Sequence, residues 1–316
     1  MRVVIAGGGI SGVYFAYKLL QELPDAEVLL IEPKDYHEFT MGIPMAFAGL
    51  VEFKDLKMPL SSLRRIRHIK DQVVAVEPGG FRISSGELIN GDYKVLAIGS
   101  LRVGHDDFYT VEGAENTYRL AASADVVRFI VDEAYPVMGF QEVAIAVKSV
   151  WKEKKVYVHV LYIHDDYRWL FNTYKDTFDK YGVALTEDPP PIKTEGRELH
   201  LFVPELAQHP LARGLRVTPL FETQHPRTYL IGESSLMKLG LPPIGWGAIW
   251  QASALAHAIA TEAKTGVAEY AVEEWSAVSD PDKFRQFFTY RMTRGVPLVS
   301  LKGLYDLWRN SIFASL

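Results

Sequence analysis

The chain contains no cysteine at any of its 316 positions. Without thiols it forms no disulfide, holds no metal or iron–sulfur cluster through thiolates, and carries out no chemistry that attacks through sulfur. A whole group of redox and hydrolytic mechanisms is therefore excluded before any motif is considered.

An excess of positive charge is also lacking. The sequence contains 34 Lys and Arg against 39 Asp and Glu, a formal net charge of −5. Because nucleic-acid binding depends on cations that displace counterions from phosphates, this balance argues against a nucleic-acid partner. The 48% hydrophobic content is typical of a globular protein, and the length suffices for about two domains. No secretory signal precedes the first motif, so we expect a cytoplasmic protein.

Charge is absent from residues 239–261, a stretch long enough to span a bilayer. A lipid-facing helix is nevertheless not expected, because helix-breaking and polar residues interrupt the stretch. These are Pro242, Pro243, Gly245, Gly247, Gln251, Ser253 and His257. The pattern predicts a loop followed by a buried helix from about residue 247 to residue 264.

The first thirty-two residues predict a strand–helix–strand unit with a glycine-rich turn. Strands are expected over 3–6 and 27–31 and a helix over 10–21, with Gly7-x-Gly9-x-x-Gly12 at the first junction. Such a turn brings the backbone close to a pyrophosphate, and the N–H groups at the start of the helix, at Ile10 and Ser11, favour its negative charge. The unit therefore predicts a dinucleotide site.

Glu32 ends the second strand, twenty residues after Gly12. A carboxylate at this position accepts hydrogen bonds from an adenosine ribose and repels a 2′-phosphate, which disfavours NADP. The turn and Glu32 alone do not distinguish NAD from FAD.

Three further segments resemble one family. They are residues 32–44 with Ala48-Gly49, the run Tyr93-Lys94-Val95-Leu96-Ala97-Ile98-Gly99-Ser100, and Thr228-Tyr229-Leu230-Ile231-Gly232-Glu233. Together they are similar to segments of sulfide:quinone oxidoreductases and type II NADH dehydrogenases, which belong to the FAD-dependent pyridine nucleotide-disulfide oxidoreductases. The resemblance covers about residues 1–102 and 217–264.

The resemblance implies FAD as the cofactor and an α/β fold in several parts. A Rossmann-like FAD-binding domain, with a parallel sheet and an antiparallel meander, would comprise residues 1–102 and 217–266. A reduced second α/β domain would be inserted at 103–216, and a helical tail would occupy 267–316. The meander is expected from short strands at 73–76 and 81–84, and the strand 94–98 would return to the main sheet.

The resemblance also implies which residues bind FAD. Glu233 replaces the aspartate that holds the flavin ribityl chain in the family, and Gly245-Trp246-Gly247 would begin a helix aimed at the isoalloxazine ring. The full expected set is Gly7, Gly9, Ile10, Ser11, Gly12, Glu32, Pro33, Lys34, Pro44, Val74, Gly99, Gly232, Glu233, Gly245 and Trp246.

For the middle of the chain, the sequence predicts an arrangement of helices and strands that differs from that of the family. A helix is expected over 122–134, strands over 143–150 and 156–163, and a helix over 167–181. Because only residues 151–155 separate the two strands, they should form an antiparallel hairpin, since a parallel crossover needs about a dozen residues. The family's NADH-binding unit would then have no room, and its redox cysteine is missing.

We therefore expect an FAD-dependent oxidoreductase that passes electrons directly through flavin to a small molecule, a quinone or a protein electron carrier. The alternative is a flavin-binding sensor, or a non-catalytic subunit of a redox complex. An NAD-dependent Rossmann dehydrogenase is a third hypothesis. No catalytic residue is assigned, but Lys34, His37, Lys148 and Trp246 are candidates for proton transfer. No metal site is expected, because His159, His164, Asp165 and Asp166 have no second cluster at ligand spacing.

The last thirty-five residues are basic and aromatic. Residues 282–316 contain six Lys and Arg against two Asp, a net charge of +4. Apolar residues recur at helical spacing at Leu301, Leu304, Tyr305, Trp308, Ile312 and Phe313. This apolar stripe predicts either peripheral binding to an anionic membrane or packing, against the core or between two subunits of a dimer.

Overall fold

The computed structural model describes residues 1–104, 108–192, 196–294 and 297–316, without the side chains of 287, 290–294 and 297–301. The first part of the chain forms β1 Arg2–Ala6, α1 Ile10–Glu22, β2 Glu27–Ile31, β3 Tyr36–Glu38, α2 Ile43–Phe47, β4 Lys57–Pro59, β5 Ile66–Ile69, β6 Val73–Glu77, β7 Gly80–Ile83, β8 Leu88–Asn90, β9 Tyr93–Leu96 and β10 Ser100–Val103. The middle forms α3 Val111–Ser123, β11 Val126–Asp132, α4 Phe140–Val150, β12 Lys155–Tyr162, α5 Asp165–Thr173, α6 Lys175–Tyr181, β13 Ala184–Thr186, β14 Glu198–Phe202, β15 Glu205–Gln208 and α7 Pro210–Arg213. The remainder forms β16 Thr228–Leu230, α8 Glu233–Lys238, α9 Gly245–Thr265, α10 Val272–Ser279, α11 Pro281–Arg294, α12 Pro297–Leu307, a π-helix Trp308–Ile312 and α13 Phe313–Ser315.

The first sheet is parallel, in the order β16-β9-β1-β2-β5. Its central strand β1 is buried on both faces, with Val3 to Ala6 fully inaccessible to solvent, as expected for a sheet covered on both sides. On one face α1 packs against α9. The strands β6, β7 and β8 form the predicted antiparallel meander and cover the other face through Val73, Phe81 and Ile83.

The strand–helix–strand unit, the meander and the buried helix α9 agree with the sequence predictions. Helix α9 begins at Gly245, two residues before the expected start. No helix within the described residues combines the length and the apolar character needed to cross a membrane.

The second sheet corrects the prediction for the middle of the chain. It is wholly parallel, in the order β13-β12-β11-β14. Residues 143–150 lie in helix α4, not in a strand, and residues 126–132 form β11, not a helix. The expected antiparallel hairpin is therefore wrong, because α4 is the crossover that joins β11 to its parallel neighbour β12.

The error has a physical cause. Residues 143–147 of α4 are continuously apolar and all buried, and a short apolar run buried on all sides has the same pattern in a helix as in a central strand. Since the hairpin is not formed, the domain does have room for a helix of the nucleotide-binding type. The predicted helix 167–181 is present but divided at Tyr174 into α5 and α6.

The C-terminal segment packs against the first domain. In the apolar stripe, Trp308 and Ile312 are fully buried, and Leu304, Tyr305 and Phe313 are at most 9% exposed; the side chain of Leu301 lies outside the described residues. Trp308 stacks on Tyr14 of α1, with ring centroids 5.7 Å apart. Of the two predicted roles, packing is the one observed for this stripe.

Candidate functional site

The glycine turn lies where the carboxyl end of β1 meets the start of α1, between β2 and β9. Gly7 has φ +105°, and a side chain on it would overlap the carbonyl of Ala97. A side chain on Gly12 would overlap the Gly7 carbonyl, whereas a Cβ on Gly9 would meet nothing within 4 Å. No side chain caps the first turn of α1. The turn therefore leaves open space above Gly9, in front of the helix N-terminus that favours a phosphate.

Glu32 stands beside this turn. Its Oε2 accepts a hydrogen bond from the Gly8 N–H at 2.8 Å, and its Oε1 accepts one from the Lys34 N–H at 3.0 Å. Pro33 follows it on the surface, and the Lys34 ammonium pairs with Glu38 at 2.9 Å. Val74 lies on β6 with 49% of its surface exposed.

The two later family-like segments meet at the same edge of the sheet. The Glu233 carboxylate accepts hydrogen bonds from the Ser100 N–H at 3.2 Å and hydroxyl at 2.6 Å. Gly99 and Gly232 both have positive φ, 67° and 85°. A Cβ on Gly232 would lie 2.6 Å from the Ser11 hydroxyl. Segments that are far apart in sequence are thus joined around the glycine turn.

A pocket with a cavity volume of about 140 Å³ lies between this edge and the second sheet. It is bordered by five of the predicted site residues: Ile10, Pro44, Glu233, Gly245 and Trp246. Because Gly245 and Trp246 begin α9, the positive end of that helix faces the pocket. Sequence reasoning missed the rest of the wall: Thr40, Met41, Ile43, Arg102, Phe108, Tyr109, Val137, Met138, Gly139, Glu142, Val143, Tyr174, Pro243, Ile244 and Phe288.

Glu142 is the least expected member of this wall. The residue is partly exposed, yet Oε2 is buried and has no hydrogen-bond partner among the described residues. The other oxygen accepts a hydrogen bond from the Tyr174 hydroxyl. Burial raises the pKa of Glu142 above its ordinary value, and burial together with the nearby carboxyl raises the pKa of Tyr174. A pattern in the sequence could have indicated Glu142, because Gly139 followed three residues later by a glutamate is typical of a helix start. The prediction of a strand over residues 143–150 concealed this helix start.

The four candidates for proton transfer have different positions. Lys34 lies on the surface, and the Lys148 ammonium donates to the carbonyls of Lys152 and Lys154 at 2.7 Å each. His37 lies in the core, away from the pocket wall. Only Trp246 borders the pocket.

His37 links the glycine turn to the C-terminal segment. Its Nδ1 donates to the Gly8 carbonyl at 2.8 Å, and its ring stacks on Trp308 with centroids 5.5 Å apart. The imidazole is fully buried, and burial lowers the pKa of His37 to about 4. The ring is therefore neutral at pH 7 and acts as a fixed support.

The prediction that the chain has no metal site concerned His159, His164, Asp165 and Asp166. His159 is buried and lies 3.2 Å from Arg128 and 2.8 Å from the Asp188 carbonyl. Within the described residues, no group of three or more His, Asp or Glu side chains is arranged to hold a metal ion.

Comparison with known proteins gives one curated relative. The chain is 33% identical over 103 residues to the sulfide-quinone reductase of Aquifex aeolicus (strain VF5), a match that spans 31% of this chain and 24% of that protein. The match therefore extends over about a quarter of the relative's length. No family model matches the sequence.

Several solved structures have the same fold. The sulfide:quinone oxidoreductase of Aquifex aeolicus superposes with a TM-score of 0.65 at 15% identity, over 100% of this chain and 96% of that one. A NAD-dependent persulfide reductase from A. fulgidus gives 0.61 at 18% identity, over 82% and 59%. A covalent putidaredoxin reductase–putidaredoxin complex gives 0.59 at 18% identity, over 82% and 75%. These similarities confirm the resemblance and the fold class inferred from the sequence.

Proposed function

We propose that this chain is a flavoprotein oxidoreductase that binds FAD along the Gly7–Gly12 turn and passes two electrons directly through the flavin. The observation that carries the proposal is the open space over Gly9, which lies beside Glu32 and opens at the edge of the first sheet. The pyrophosphate would lie at the N-terminus of α1, and the adenosine ribose would lie at Glu32.

The flavin end of the cofactor would extend toward the pocket. Glu233, which accepts a hydrogen bond from the Ser100 hydroxyl, would accept hydrogen bonds from the ribityl hydroxyls. The N-terminus of α9, at Gly245, would stabilise negative charge on the reduced ring. When bound, the flavin supplies two-electron transfer that side chains alone cannot perform.

We propose further that no nicotinamide cofactor binds in the second domain. Helix α4 does provide a nucleotide-type crossover, but residues 132–139 before it contain a single glycine, Gly139. The acidic residues Asp132 and Glu133 also precede this helix, and the pKa of Glu133 is raised by burial and by the nearby carboxylates of Glu205 and Asp132. A dinucleotide needs a glycine-rich, electropositive turn, and this turn is neither. It therefore favours direct exchange of electrons between the flavin and another electron carrier.

A quinone is the partner that the observations favour. The pocket wall is mostly apolar and aromatic, which suits a neutral ring compound, and the curated relative is named for its quinone. We place the reaction in the cytoplasm at an anionic membrane surface, on the basis of the net charge of +4 over residues 282–316. A protein carrier is the other candidate partner.

The test is a visible spectrum of the purified chain, followed by anaerobic titration with NADH and sulfide and by mixing of the dithionite-reduced protein with a soluble quinone. We expect an oxidised-flavin band that NADH leaves unbleached and that the quinone restores after reduction. Failure to take up FAD would refute the proposal, and stoichiometric bleaching by NADH would refute the missing nicotinamide site. A bound flavin that no quinone, carrier or dioxygen reoxidises would favour a sensor or a redox-complex subunit.

A further inference from the structure

We propose that Gln251 of α9 is a positioning residue for FAD: it holds the Gly232 turn, and through that turn the Glu233 carboxylate, at a fixed place between α1 and α9. The inference rests on the proposed function, because it specifies how the chain arranges its own side of the flavin site. Gln251 does not border the pocket. It therefore acts through Gly232 and Glu233, without contact of its own with the cofactor.

The amide of Gln251 is directed at the start of α8. The residue ends the second turn of α9, and its side chain is inaccessible to solvent. Oε1 accepts a hydrogen bond from the Gly232 N–H at 2.9 Å, and Nε2 donates to the Ser235 hydroxyl at 3.2 Å. Because a backbone N–H only donates, the amide oxygen has to face Gly232. Both polar ends of the side chain are thus used to hold the first turn of α8.

Gly232 is the point at which α1, α8 and α9 meet. The residue has φ +85° and directly precedes Glu233. A Cβ on Gly232 would lie 2.6 Å from the Ser11 hydroxyl, so its backbone lies against the first turn of α1. The hydrogen bond to Gln251 holds Gly232 from the side of α9. A displacement of this turn would therefore move the Glu233 carboxylate away from its place beside α1.

The same hydrogen bond relates the two ends of the proposed flavin site. Gly245, where the positive end of α9 faces the pocket, lies six residues before Gln251, about 9 Å along the helix. Since Gln251 is bonded to Gly232, the start of α9 and the Glu233 carboxylate keep a constant separation. We assign to the first the reduced flavin ring and to the second the ribityl chain. Gln251 should therefore influence both the affinity for FAD and the midpoint potential of the flavin.

Stability alone does not account for an amide at this position. Burial of an amide costs free energy that its hydrogen bonds only offset. Compared with an apolar side chain of similar size, Gln251 adds the direction of two hydrogen bonds, and one of these goes to the backbone of Gly232 in the proposed cofactor site. Its contribution is thus the placement of that backbone.

The experiment compares the full chain with Gln251→Met, which keeps the length of the side chain and removes both hydrogen bonds. Without the bond to Gly232 the turn is no longer held in one place, and the apparent affinity falls with the fraction of molecules in the binding conformation. Loss of a buried hydrogen bond corresponds to an affinity for FAD about 10- to 100-fold weaker. The midpoint potential should become more negative, because the reduced ring is less well aligned with the start of α9.

Three measurements are made on each variant. Titration of the apoprotein with FAD, followed by flavin fluorescence, gives the affinity. Reduction in the presence of a reference dye gives the midpoint potential, and urea unfolding gives the stability of the apoprotein. A merely structural role for Gln251 would lower the stability and leave the other two quantities unchanged.

Two control variants separate placement from general destabilisation. Ser235→Ala removes the partner of Nε2 but leaves the bond to Gly232, so it should lower the stability of the apoprotein while keeping the affinity and the potential. Gln224 also holds a turn, through the Arg216 N–H at 2.9 Å and the Gly214 carbonyl at 3.2 Å, but does not border the pocket. Gln224→Met should bind FAD like the unaltered chain.

Hydrogen exchange in the unaltered chain gives an independent measurement. If Gln251 holds the turn before the cofactor binds, the Gly232 amide should exchange slowly in the apoprotein. Rapid exchange that becomes slow only when FAD is added would mean that the cofactor orders the turn, and it would overturn the proposal.

Weaker FAD binding and a more negative potential in Gln251→Met, with both unchanged in Ser235→Ala, support the proposal. Equal affinity and potential in Gln251→Met and the unaltered chain overturn it and leave the proposed function standing, as does an equal loss of affinity in Gln251→Met and Ser235→Ala. Failure of the unaltered chain to bind FAD overturns both. If Gln251→Met does not fold, the exchange of the Gly232 amide decides.

Discussion

At the scale of single residues, Gly9 and Gly12 serve different purposes in the same turn. Gly12→Ala places a methyl group into the Gly7 carbonyl, so we expect it to weaken folding and FAD binding together. Gly9→Ala meets no atom within 4 Å, so the apoprotein should keep its stability while the approach of the pyrophosphate is blocked. Urea unfolding of the apoproteins and fluorescence titration with FAD measure the two effects separately.

A contrary result is easily recognised. If Gly9→Ala bound FAD as tightly as the unaltered chain, the pyrophosphate would not lie over the turn, and the cofactor assignment would need another site. Gly214→Ala is a suitable control, since Gly214 has a negative φ, a Cβ there also meets nothing within 4 Å and the residue does not border the pocket.

At the scale of secondary-structure elements, the stack of His37 on Trp308 ties the C-terminal segment to the glycine turn. The folded-state pKa of His37 is about 4, whereas the unfolded value is about 6.5. Between these values the unfolded chain binds a proton that the folded chain does not, so stability must fall as pH decreases from about 6.5 to 4. The loss should reach about 3 kcal/mol at the acid end, measured by urea unfolding at several pH values.

The control for this prediction is a second histidine. His37→Gln should be less stable at neutral pH and should lose most of the slope between pH 4 and 6.5, because the titrating group is gone. His225→Gln, which alters a histidine in the loop before β16, should keep the slope. An unchanged slope in His37→Gln would mean that other groups cause the acid sensitivity.

At the scale of the whole molecule, the C-terminal segment both completes the core and carries positive charge. A chain that ends at Asp280 loses the fully buried Phe284 and Trp308 and exposes Tyr14, His37 and Phe39 of the first domain. Loss of each large buried aromatic costs about 3–5 kcal/mol. We therefore expect this shortened chain to aggregate or to bind a hydrophobic dye, as measured by size-exclusion chromatography and fluorescence.

Membrane binding is tested in the intact chain for this reason. Full-length protein should float with anionic liposomes at low salt, and replacement of the exposed Lys283 and Arg285 by Gln should weaken flotation. Each surface cation contributes about 1 kcal/mol near such a membrane, so the pair should change the partition by about thirty-fold.

A stable, soluble chain ending at Asp280 would contradict the packing of the C-terminal segment. Flotation unaffected by salt or by the two substitutions would contradict attachment through charge.

Local patterns were sufficient for much of the FAD domain. The strand–turn–helix at Gly7–Gly12, the position of Glu32 and the buried helix α9 were all predicted, because each depends on neighbours within one or two turns of the chain. The residues alone did not predict the meeting of Ser100 with Glu233. Two segments 133 positions apart were brought together in the prediction only through the resemblance to a family.

The sequence by itself therefore determined the dinucleotide-type turn, the absence of thiol chemistry and the location of the main helix–strand units. Only the tertiary structure decided that residues 143–150 are a helix, since their apolar pattern fits a buried strand equally well and the parallel pairing of β11 with β12 is a long-range contact. It also decided that the C-terminal stripe is covered by the first domain. Finally, it brought Glu142 to the pocket, because a side chain's direction depends on the helix that carries it and on the partners against which that helix packs.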